Sequence, residues 1–292
     1  MNGSSRRGFS ADAHDWTSRL LDLQRKHNED TRELWDLMSA HRSRVTRETL
    51  RGATGGRLTV FGAGNCNDLD LPQLLSTFAT IHLLDLDAAA IDAGLKRQGV
   101  HSSEGIHRHA GVDFGGLGHA LSRDAATVSE FSMDLRDGVR QSLADGPPPA
   151  DRVVSACVLS QLIEGVATAR SRSGDERERA VAVRDEHVDL LLRHTAAGGS
   201  ALLVTDLVSS DTAPELRTCP DLSLPKLRDE LIARHNYFHG TNPYAIEESI
   251  ARRHRTAVSR VERRPPWRWA LGERVYLVVA LKIERAREPR SS

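Results

Sequence analysis

One feature limits the folds open to this chain more than any other: a β-rich run that ends in a glycine turn. Residues Arg57 to Phe61 are typical of a buried strand, and Gly62-Ala63-Gly64 follows at once. A helix is then predicted from Leu71, with Asp70 as its N-cap. Glycines at such a turn allow a ligand to approach the backbone, because a Cβ would fill that space. The run predicts a parallel α/β sheet whose ligand site lies at the C-terminal ends of the strands.

The rest of the chain alternates strands with helices, as such a sheet requires. Four further strands are predicted, each followed by turn or helix signals: residues 80–84, 106–112, 152–158 and 200–205. This alternation implies βαβ crossovers. The chain then closes with a predicted hairpin of two long strands around Gly272, within residues 258–283. The predicted fold class is therefore α/β, with a mostly parallel sheet and an antiparallel C-terminal hairpin.

The part of the chain before the glycine turn is predicted to be helical. From Asp12 to Arg51 the apolar residues fall mostly three, four or seven apart, and a run of glycines then stops the pattern. Asn28-Glu29-Asp30 is predicted to divide it into two helices, with Asp30 as a cap. We therefore expect four segments along the chain: a disordered tail at 1–11, a helical lid at 12–52, the sheet domain at 53–286 and a tail at 287–292.

The glycine turn and an acid at the end of the next strand together predict a nucleoside site. A dinucleotide-binding turn has the pattern G-x-G-x-x-G, but the position of its last glycine is Asn67 here. Asp85 follows about 20 residues later, where a carboxylate accepts hydrogen bonds from ribose hydroxyls. The alternatives are a plain strand-to-helix turn at the glycines and a helix cap at Asp85, although Asp87 is the better cap.

With these residues in place, the chain resembles the class I S-adenosylmethionine-dependent methyltransferases over roughly residues 58–283. The resemblance rests on the following segments: Gly62-Ala63-Gly64, Leu84-Asp85-Leu86-Asp87, Asp113, Asp151 to Ser155, Gly198-Gly199-Ser200 and the closing hairpin. It implies a seven-stranded Rossmann-like sheet in which the seventh strand lies antiparallel between the fifth and the sixth. It also implies S-adenosyl-L-methionine as the cofactor.

The resemblance further implies which residues bind the cofactor. They are Gly62, Ala63, Gly64, Asn65, Asp68, Asp85, Leu86, Asp113, Ser155 and Ala156. Two positions depart from the family, since Val60 stands where it usually carries an acid and Cys66 replaces a third glycine. Asp68 or the side chain of Asn65 is the candidate to replace that acid at the amino group of the cofactor. For Asp113, a plain turn residue is an equal alternative.

A polar, aromatic segment near residue 240 is the candidate acceptor site. Tyr237, His239 and Tyr244 lie close together in a chain with only 4% aromatic residues, and they follow the helix after the fifth strand. We expect these three residues to be catalytic and to face the methyl acceptor, with His239 and His235 as candidate bases. The alternative is an ordinary turn before a helix, with Asn242 as its N-cap and Pro243 in its first position.

Composition limits the partners and the compartment. The formal net charge is zero, which argues against a nucleic acid or a membrane surface, so we expect a small-molecule acceptor. The three cysteines have neither metal-ligand nor disulfide spacing, and no metal is expected. No apolar run approaches the roughly 20 residues of a membrane span. The polar start does not resemble a signal peptide, and a cytoplasmic protein is expected.

Two other function classes stay open at this stage. One is an NAD-dependent oxidoreductase on the same kind of sheet, against which the missing last glycine of the dinucleotide motif counts. The other is a non-catalytic nucleoside-binding relative, which the valine at position 60 favours. Neither the acceptor nor the acceptor atom can be derived from these residues.

Overall fold

The structure is a computed structural model that describes residues 15–100, 105–123, 125–169 and 174–287. The tail predicted at 1–11 and all but one residue of the tail predicted at 287–292 lie outside these ranges. Within them, no helix has both the length and the apolar character needed to cross a membrane. The division of the chain into a helical lid and a sheet domain stays a prediction.

Seven strands form one sheet in the order β3-β2-β1-β4-β5-β7-β6. The strands are β1 (Arg57–Phe61), β2 (Thr80–Asp85), β3 (Ile106–Ala110), β4 (Ala150–Ala156), β5 (Thr195–Ser209), β6 (Val258–Leu271) and β7 (Arg274–Arg285). The first five strands pair in parallel. β7 lies between β5 and β6 and is antiparallel to both. The predicted fold class is confirmed, including the place of the antiparallel strand.

Ten α-helices lie within the described ranges and surround this sheet. They are α1 (Asp15–Thr31), α2 (Ser39–Leu50), α3 (Leu71–Leu75), α4 (Ala88–Arg97), α5 (Leu117–Ser122), α6 (Val128–Ser142), α7 (Leu159–Thr168), α8 (Glu176–His194), α9 (Leu224–Ala233) and α10 (Pro243–Arg253). The predicted break at residues 28–30 is wrong. α1 continues through Asp30, which is not a cap, and the break falls in the short 3-10 turn Arg32–Leu34 and the turn after it.

Helices cover both faces of the sheet, which is why its central strands are apolar on both sides. Phe61 and Leu84 point to one face, where they pack in a core with residues of α5, α6, α7 and α8. Their neighbours Val60 and Leu83 point to the other face and pack with residues of α2, α3 and α4. Helices cover both faces of the sheet, so a ligand can reach it only at an edge. That edge is formed by the C-terminal ends of β1, β2 and β4.

A buried ion pair holds α2 against the sheet. Arg264 Nε on β6 donates to Glu48 Oε2 on α2 at 2.8 Å. Arg44 and Arg51 lie 3.5 and 3.2 Å from the same carboxylate. A buried charge is tolerated only when it is paired in this way. These pairs hold α2 against the sheet, and α2 carries His41, whose Nε2 lies 3.2 Å from Asp68 Oδ1.

Candidate functional site

Two joined cavities lie at the C-terminal ends of β1, β2 and β4. The larger has a volume of about 300 Å³ and the smaller a volume of about 40 Å³. Five residues line both cavities and mark their junction: Gln24 and His27 on α1, Asp85 at the end of β2, Val158, and Gln161 on α7. A ligand that fills both cavities therefore passes Asp85 near its middle and is covered by α1.

The glycine turn forms one wall of the smaller cavity. Gly62 has φ +77°, and a Cβ there would lie 2.7 Å from the Cβ of Val158. The N–H groups of Gly62 and Ala63 both donate to the carbonyl oxygen of Leu84 at 3.1 Å, which holds the turn against the end of β2. Only glycine accommodates this φ and this contact together, so the turn brings bare backbone to the cavity.

Asp85 lies at the junction with its carboxylate already oriented. Its Oδ2 accepts from the Gly64 N–H at 2.8 Å, and its Oδ1 accepts from the Asp87 N–H at 2.9 Å. The residue is only 2% exposed, and burial raises the pKa of Asp85 to about 6 although both backbone bonds act in the opposite direction. Each oxygen keeps a second lone pair, so the carboxylate can also accept from two ligand hydroxyls.

Asp113 and Leu86 line the larger cavity together with the ring of Phe114. The carboxylate of Asp113 accepts from the N–H groups of Leu117 at 3.3 Å and Gly118 at 2.8 Å. It therefore caps the free N–H groups at the start of α5, which is close to the turn role that the sequence left as an alternative. Burial raises the pKa of Asp113. The larger cavity thus offers a carboxyl group and apolar surface side by side, which suits a planar base with an exocyclic amino group.

Amide side chains join the loop after the glycine turn to α1. Asn65 Nδ2 donates to the carbonyl oxygen of Asn28 at 2.6 Å, and Asn67 Nδ2 donates to that of Thr31 at 2.8 Å. These carbonyls belong to the last turn of α1, where the helix itself supplies no donor. The bonds explain why α1 continues to Thr31 and why it lies over the cavities. Asn65 thus lines the smaller cavity, and part of its side chain holds the covering helix.

Of the two predicted residues at the end of β4, one reaches the site. Ala156 lines the smaller cavity. Ser155 is fully buried on the opposite face, with its Oγ 2.8 Å from Nε2 of His187 in α8. The prediction that Ser155 binds the cofactor is therefore corrected, because this residue lines neither cavity. Successive side chains of a strand point to opposite faces, so only one of these two neighbours can face the cavity.

The aromatic segment near residue 240 requires a larger correction. His239 is exposed, Tyr237 packs against the apolar cluster of β5, β7 and α9, and the Tyr244 hydroxyl donates to Asp229 at 2.5 Å. None of the three is among the described residues that line either cavity. The alternative fits instead, because Asn242 caps α10 by accepting from the Tyr244 N–H at 3.0 Å. The expectation that this segment faces the acceptor is given up.

His27 on α1 is a functional candidate that the sequence analysis missed. It lines both cavities, and its Nε2 lies 3.3 Å from Nε2 of Gln161. Burial lowers the pKa of His27, although the charges of Asp68, Glu164 and Asp30 act in the opposite direction. The amide nitrogen of Gln161 can only donate, so Nε2 of His27 is the acceptor in this contact. Once a bound hydroxyl or amine replaces Gln161 there, the neutral imidazole can accept its proton. No local pattern could have identified it, because only the packing of α1 over the strand ends places it there.

Asp206 on β5 is a buried carboxyl that interacts electrostatically with Asp68, although it lines neither cavity. Ser160 Oγ lies 3.5 Å from its Oδ2, and burial, followed by the charge of Asp68, raises the pKa of Asp206 to about 8. With this pKa Asp206 is a neutral carboxyl at neutral pH, so the negative charge at this end of the site comes from Asp68, which lines the smaller cavity. Despite these carboxylates, the described part of the chain has no group of three or more His, Cys, Asp or Glu side chains that could bind a metal ion.

Comparisons with known proteins yield structural neighbours alone, since no family model and no curated protein matches the chain. The N-methyltransferase NodS from Bradyrhizobium japonicum WM9, in complex with S-adenosyl-L-homocysteine, is 15% identical, with 95% of this chain and 100% of that chain covered and a TM-score of 0.44. An O-methyltransferase family protein from Burkholderia thailandensis is 14% identical, with 95% and 64% covered and a TM-score of 0.45. Likeness of this degree says nothing about the acceptor. The strand order of the sheet, with β7 antiparallel between β5 and β6, gives this chain the fold of the class I S-adenosylmethionine-dependent methyltransferases.

Proposed function

We propose that this chain is an S-adenosylmethionine-dependent methyltransferase that acts on a small-molecule acceptor. The observation that carries the proposal is the charge beside the glycine turn. The described lining of the smaller cavity includes the carboxylates of Asp68 and Asp85 and contains no lysine or arginine. Such a cavity attracts a nucleoside with a cationic tail and repels the pyrophosphate of a dinucleotide. The same observation therefore counts against the NAD-dependent alternative.

The residues present fit the cofactor along both cavities. Asp85 at the junction would accept from the ribose hydroxyls, as a carboxylate at the end of the second strand does in nucleotide-binding sheets. Asp113 and Leu86 would contact the adenine in the larger cavity. The bare backbone of Gly62 and the small side chain of Ala156 would border the amino acid part in the smaller one. When bound, the cofactor supplies a methyl group on an electrophilic sulfonium.

The chain's own residues would act by placing groups and excluding water. α1 covers both cavities, and Asn28 on it donates to Asp87 Oδ2 at 3.0 Å, which holds the helix over the end of β2. Methyl transfer needs an acceptor lone pair in line with the methyl–sulfur bond, at near-attack distance and in a dry site. His27 at the junction would take a proton from the acceptor where one has to leave. It assumes the role that the sequence suggested for His239.

A small-molecule acceptor is supported by the charge around both cavities. The acidic residues among the described lining are Asp30, Asp68, Asp85, Asp113 and Glu164, whereas Lys26 is the only lysine or arginine there. A nucleic acid would bring phosphates to this surface, and proteins that bind nucleic acids present lysine and arginine instead. The acidic lining therefore favours a small acceptor that is neutral or cationic.

Calorimetry with S-adenosylhomocysteine and, separately, with NAD tests the proposal. We expect saturable binding of S-adenosylhomocysteine at one site per chain and no binding of NAD at the same concentrations. Binding of NAD alone would favour the oxidoreductase. Binding of neither ligand would contradict the proposed cofactor, because a site built for S-adenosylmethionine should also bind S-adenosylhomocysteine.

Replacing Asp85 tests the ribose contact. Asp85→Ala should weaken S-adenosylhomocysteine binding by about 1.5–3 kcal/mol, the range for a hydrogen bond to a charged group. The melting temperature of the free protein should fall too, because the N–H groups of Gly64 and Asp87 lose their acceptor. Asp85→Asn is the matched variant, since it keeps one acceptor oxygen and the side-chain volume. Unchanged dissociation constants for both variants would rule out the ribose contact.

A further inference from the structure

The α-ammonium group of the proposed cofactor needs a carboxylate that the usual position does not supply. Val60 stands in that position, and it is fully buried on the sheet face that packs against α2, α3 and α4. The side chain of a valine can neither accept a hydrogen bond nor offset a positive charge. The partner of the ammonium group must therefore come from another part of this chain, an inference that rests on the proposed function.

Asn65 lines the smaller cavity and carries an unused acceptor. The residue is only 4% exposed, and its Nδ2 already donates to the carbonyl oxygen of Asn28. Its Oδ1 is buried and has no hydrogen-bond partner among the described residues. A buried acceptor without a donor costs free energy, which a donor on a ligand would recover. Because Asn65 lines this cavity, its Oδ1 indicates a ligand N–H or O–H there.

Asp68 presents negative charge in the same cavity. His41 Nε2 lies 3.2 Å from its Oδ1, while His41 Nδ1 accepts from the indole N–H of Trp267 at 3.1 Å. An indole nitrogen only donates, so Nδ1 carries no proton and His41 is the neutral tautomer with its proton on Nε2. His41 therefore does not cancel the charge of Asp68, and Asp68 Oδ1 has no hydrogen-bond partner among the described residues.

Arg42 lies near Asp68 but outside the cavity, and its guanidinium is engaged by other partners. Arg42 is close enough for its charge to interact with that of Asp68. However, it stacks 3.4 Å above the ring of Trp35 and donates to the carbonyl oxygens of Trp35 and Asn67. The charge of Asp68 also acts on Asp206, whose pKa it raises further after burial has raised it. This end of the site is therefore suited to a cation.

We infer that Asp68 and Asn65 together bind the α-ammonium group of the cofactor, in place of the acid that is absent at position 60. An ammonium group has three donors. One would bond to the carboxylate of Asp68 and another to Asn65 Oδ1, and charge-assisted bonds of this kind are the stronger ones. Both residues lie in the loop after the glycine turn, so one short segment would border the amino acid part of the cofactor and hold its charged end.

Three ligands and one substitution test the inference by calorimetry at neutral pH. The ligands are S-adenosylhomocysteine, its analogue with hydrogen in place of the α-amino group, and 5′-methylthioadenosine, which lacks the amino acid part. Asp68→Asn should weaken S-adenosylhomocysteine binding about 10- to 100-fold and leave the other two affinities nearly unchanged. Wild-type protein should itself bind the deamino analogue about 10- to 100-fold more weakly than S-adenosylhomocysteine, a comparison that needs no variant. In Asp68→Asn this difference should largely disappear.

Asp92→Asn is the matched control for the loss of one negative charge. Asp92 lies on the exposed side of α4 and pairs with Arg108, and it lines neither cavity. All three affinities should be unchanged in this variant. Equal weakening of all three ligands by Asp68→Asn, or no weakening of S-adenosylhomocysteine, would overturn the inference. Failure of all three ligands to bind wild-type protein would instead contradict the proposed function.

Discussion

Gly94→Ala should lower the free energy of unfolding by roughly 2–3 kcal/mol, although alanine is the better helix former. Gly94 lies in α4, where the helix packs backbone to backbone against the loop after the glycine turn. A Cβ at this position would lie 2.4 Å from the carbonyl oxygen of Asn65 and 2.9 Å from the Cβ of Cys66. A side chain could rotate away from such a contact, but a carbonyl oxygen moves only with its loop. The helix-propensity gain of about 1 kcal/mol is too small to offset this overpacking.

The same substitution should weaken the binding of S-adenosylhomocysteine. The displaced loop carries the Gly64 N–H that orients Asp85 and the side chains of Asn65 and Asp68. A shift of a few tenths of an ångström at Asn65 therefore changes several cofactor contacts at once. Denaturant unfolding measures the first effect, and calorimetry on the folded variant measures the second.

Gly165→Ala is the matched control, because Gly165 is also a buried glycine inside a helix. A Cβ there would lie 3.3 Å from Leu117 Cδ1 and 3.3 Å from Leu20 Cδ2. These atoms are the ends of flexible side chains, which can give way. We expect this variant to be as stable as wild type or more stable, by up to about 1 kcal/mol. An equal loss of stability at both glycines would show that the backbone contact of Gly94 is not the cause.

The parts of the site that could be predicted from the sequence are those that a single strand and its following turn determine. The glycine turn and Asp85 come directly after strands that the apolar runs identify, and parallel strands end at the same edge of a sheet. Their meeting at one cavity therefore follows from local pattern and topology together. The antiparallel place of β7 needed the family resemblance, since strand patterning carries no information on pairing order.

The parts that could not be predicted depend on contacts between distant segments. His27 reaches the junction because Asn65 and Asn67 hold the last turn of α1, and no pattern within residues 15–31 shows such a bond. The prediction for the aromatic segment near residue 240 was wrong for a different reason. Its composition suggested an acceptor site, whereas Asn242 shows that the segment is the turn that begins α10. Ser155 could have been excluded from the alternation of β4, once Ala156 was assigned to the cavity.

His187→Gln should make the folded protein less sensitive to acid. His187 is buried in α8, where its Nε2 contacts Ser155 Oγ, and burial lowers the pKa of His187 to about 4. A histidine in the unfolded chain has a pKa of about 6.5, so the unfolded state binds its proton first. The folded state is therefore not penalised by His187 above a pH of about 6.5. Below it, the free energy of unfolding falls as the pH falls towards 4, because the unfolded chain binds the proton more readily. At a pH of about 4.5 the loss from this residue is about 2–3 kcal/mol.

The effect has to be measured as a difference between variant and wild type, because other groups titrate in the same range. Burial raises the pKa of Asp85 to about 6 and that of Asp206 to about 8, so these carboxyls favour the folded state as the pH falls. His82, whose pKa is lowered to about 4 by burial and by its histidine neighbours, acts in the same direction as His187. These contributions are common to both proteins and cancel.

The expected result is therefore a difference in how much stability each protein loses. Between neutral pH and a pH of about 4.5, the free energy of unfolding of wild type should fall by about 2–3 kcal/mol more than that of His187→Gln. The exposed His239→Gln should show no such difference from wild type, and parallel profiles for all three proteins would mean that His187 binds its proton as readily in the folded state as in the unfolded one.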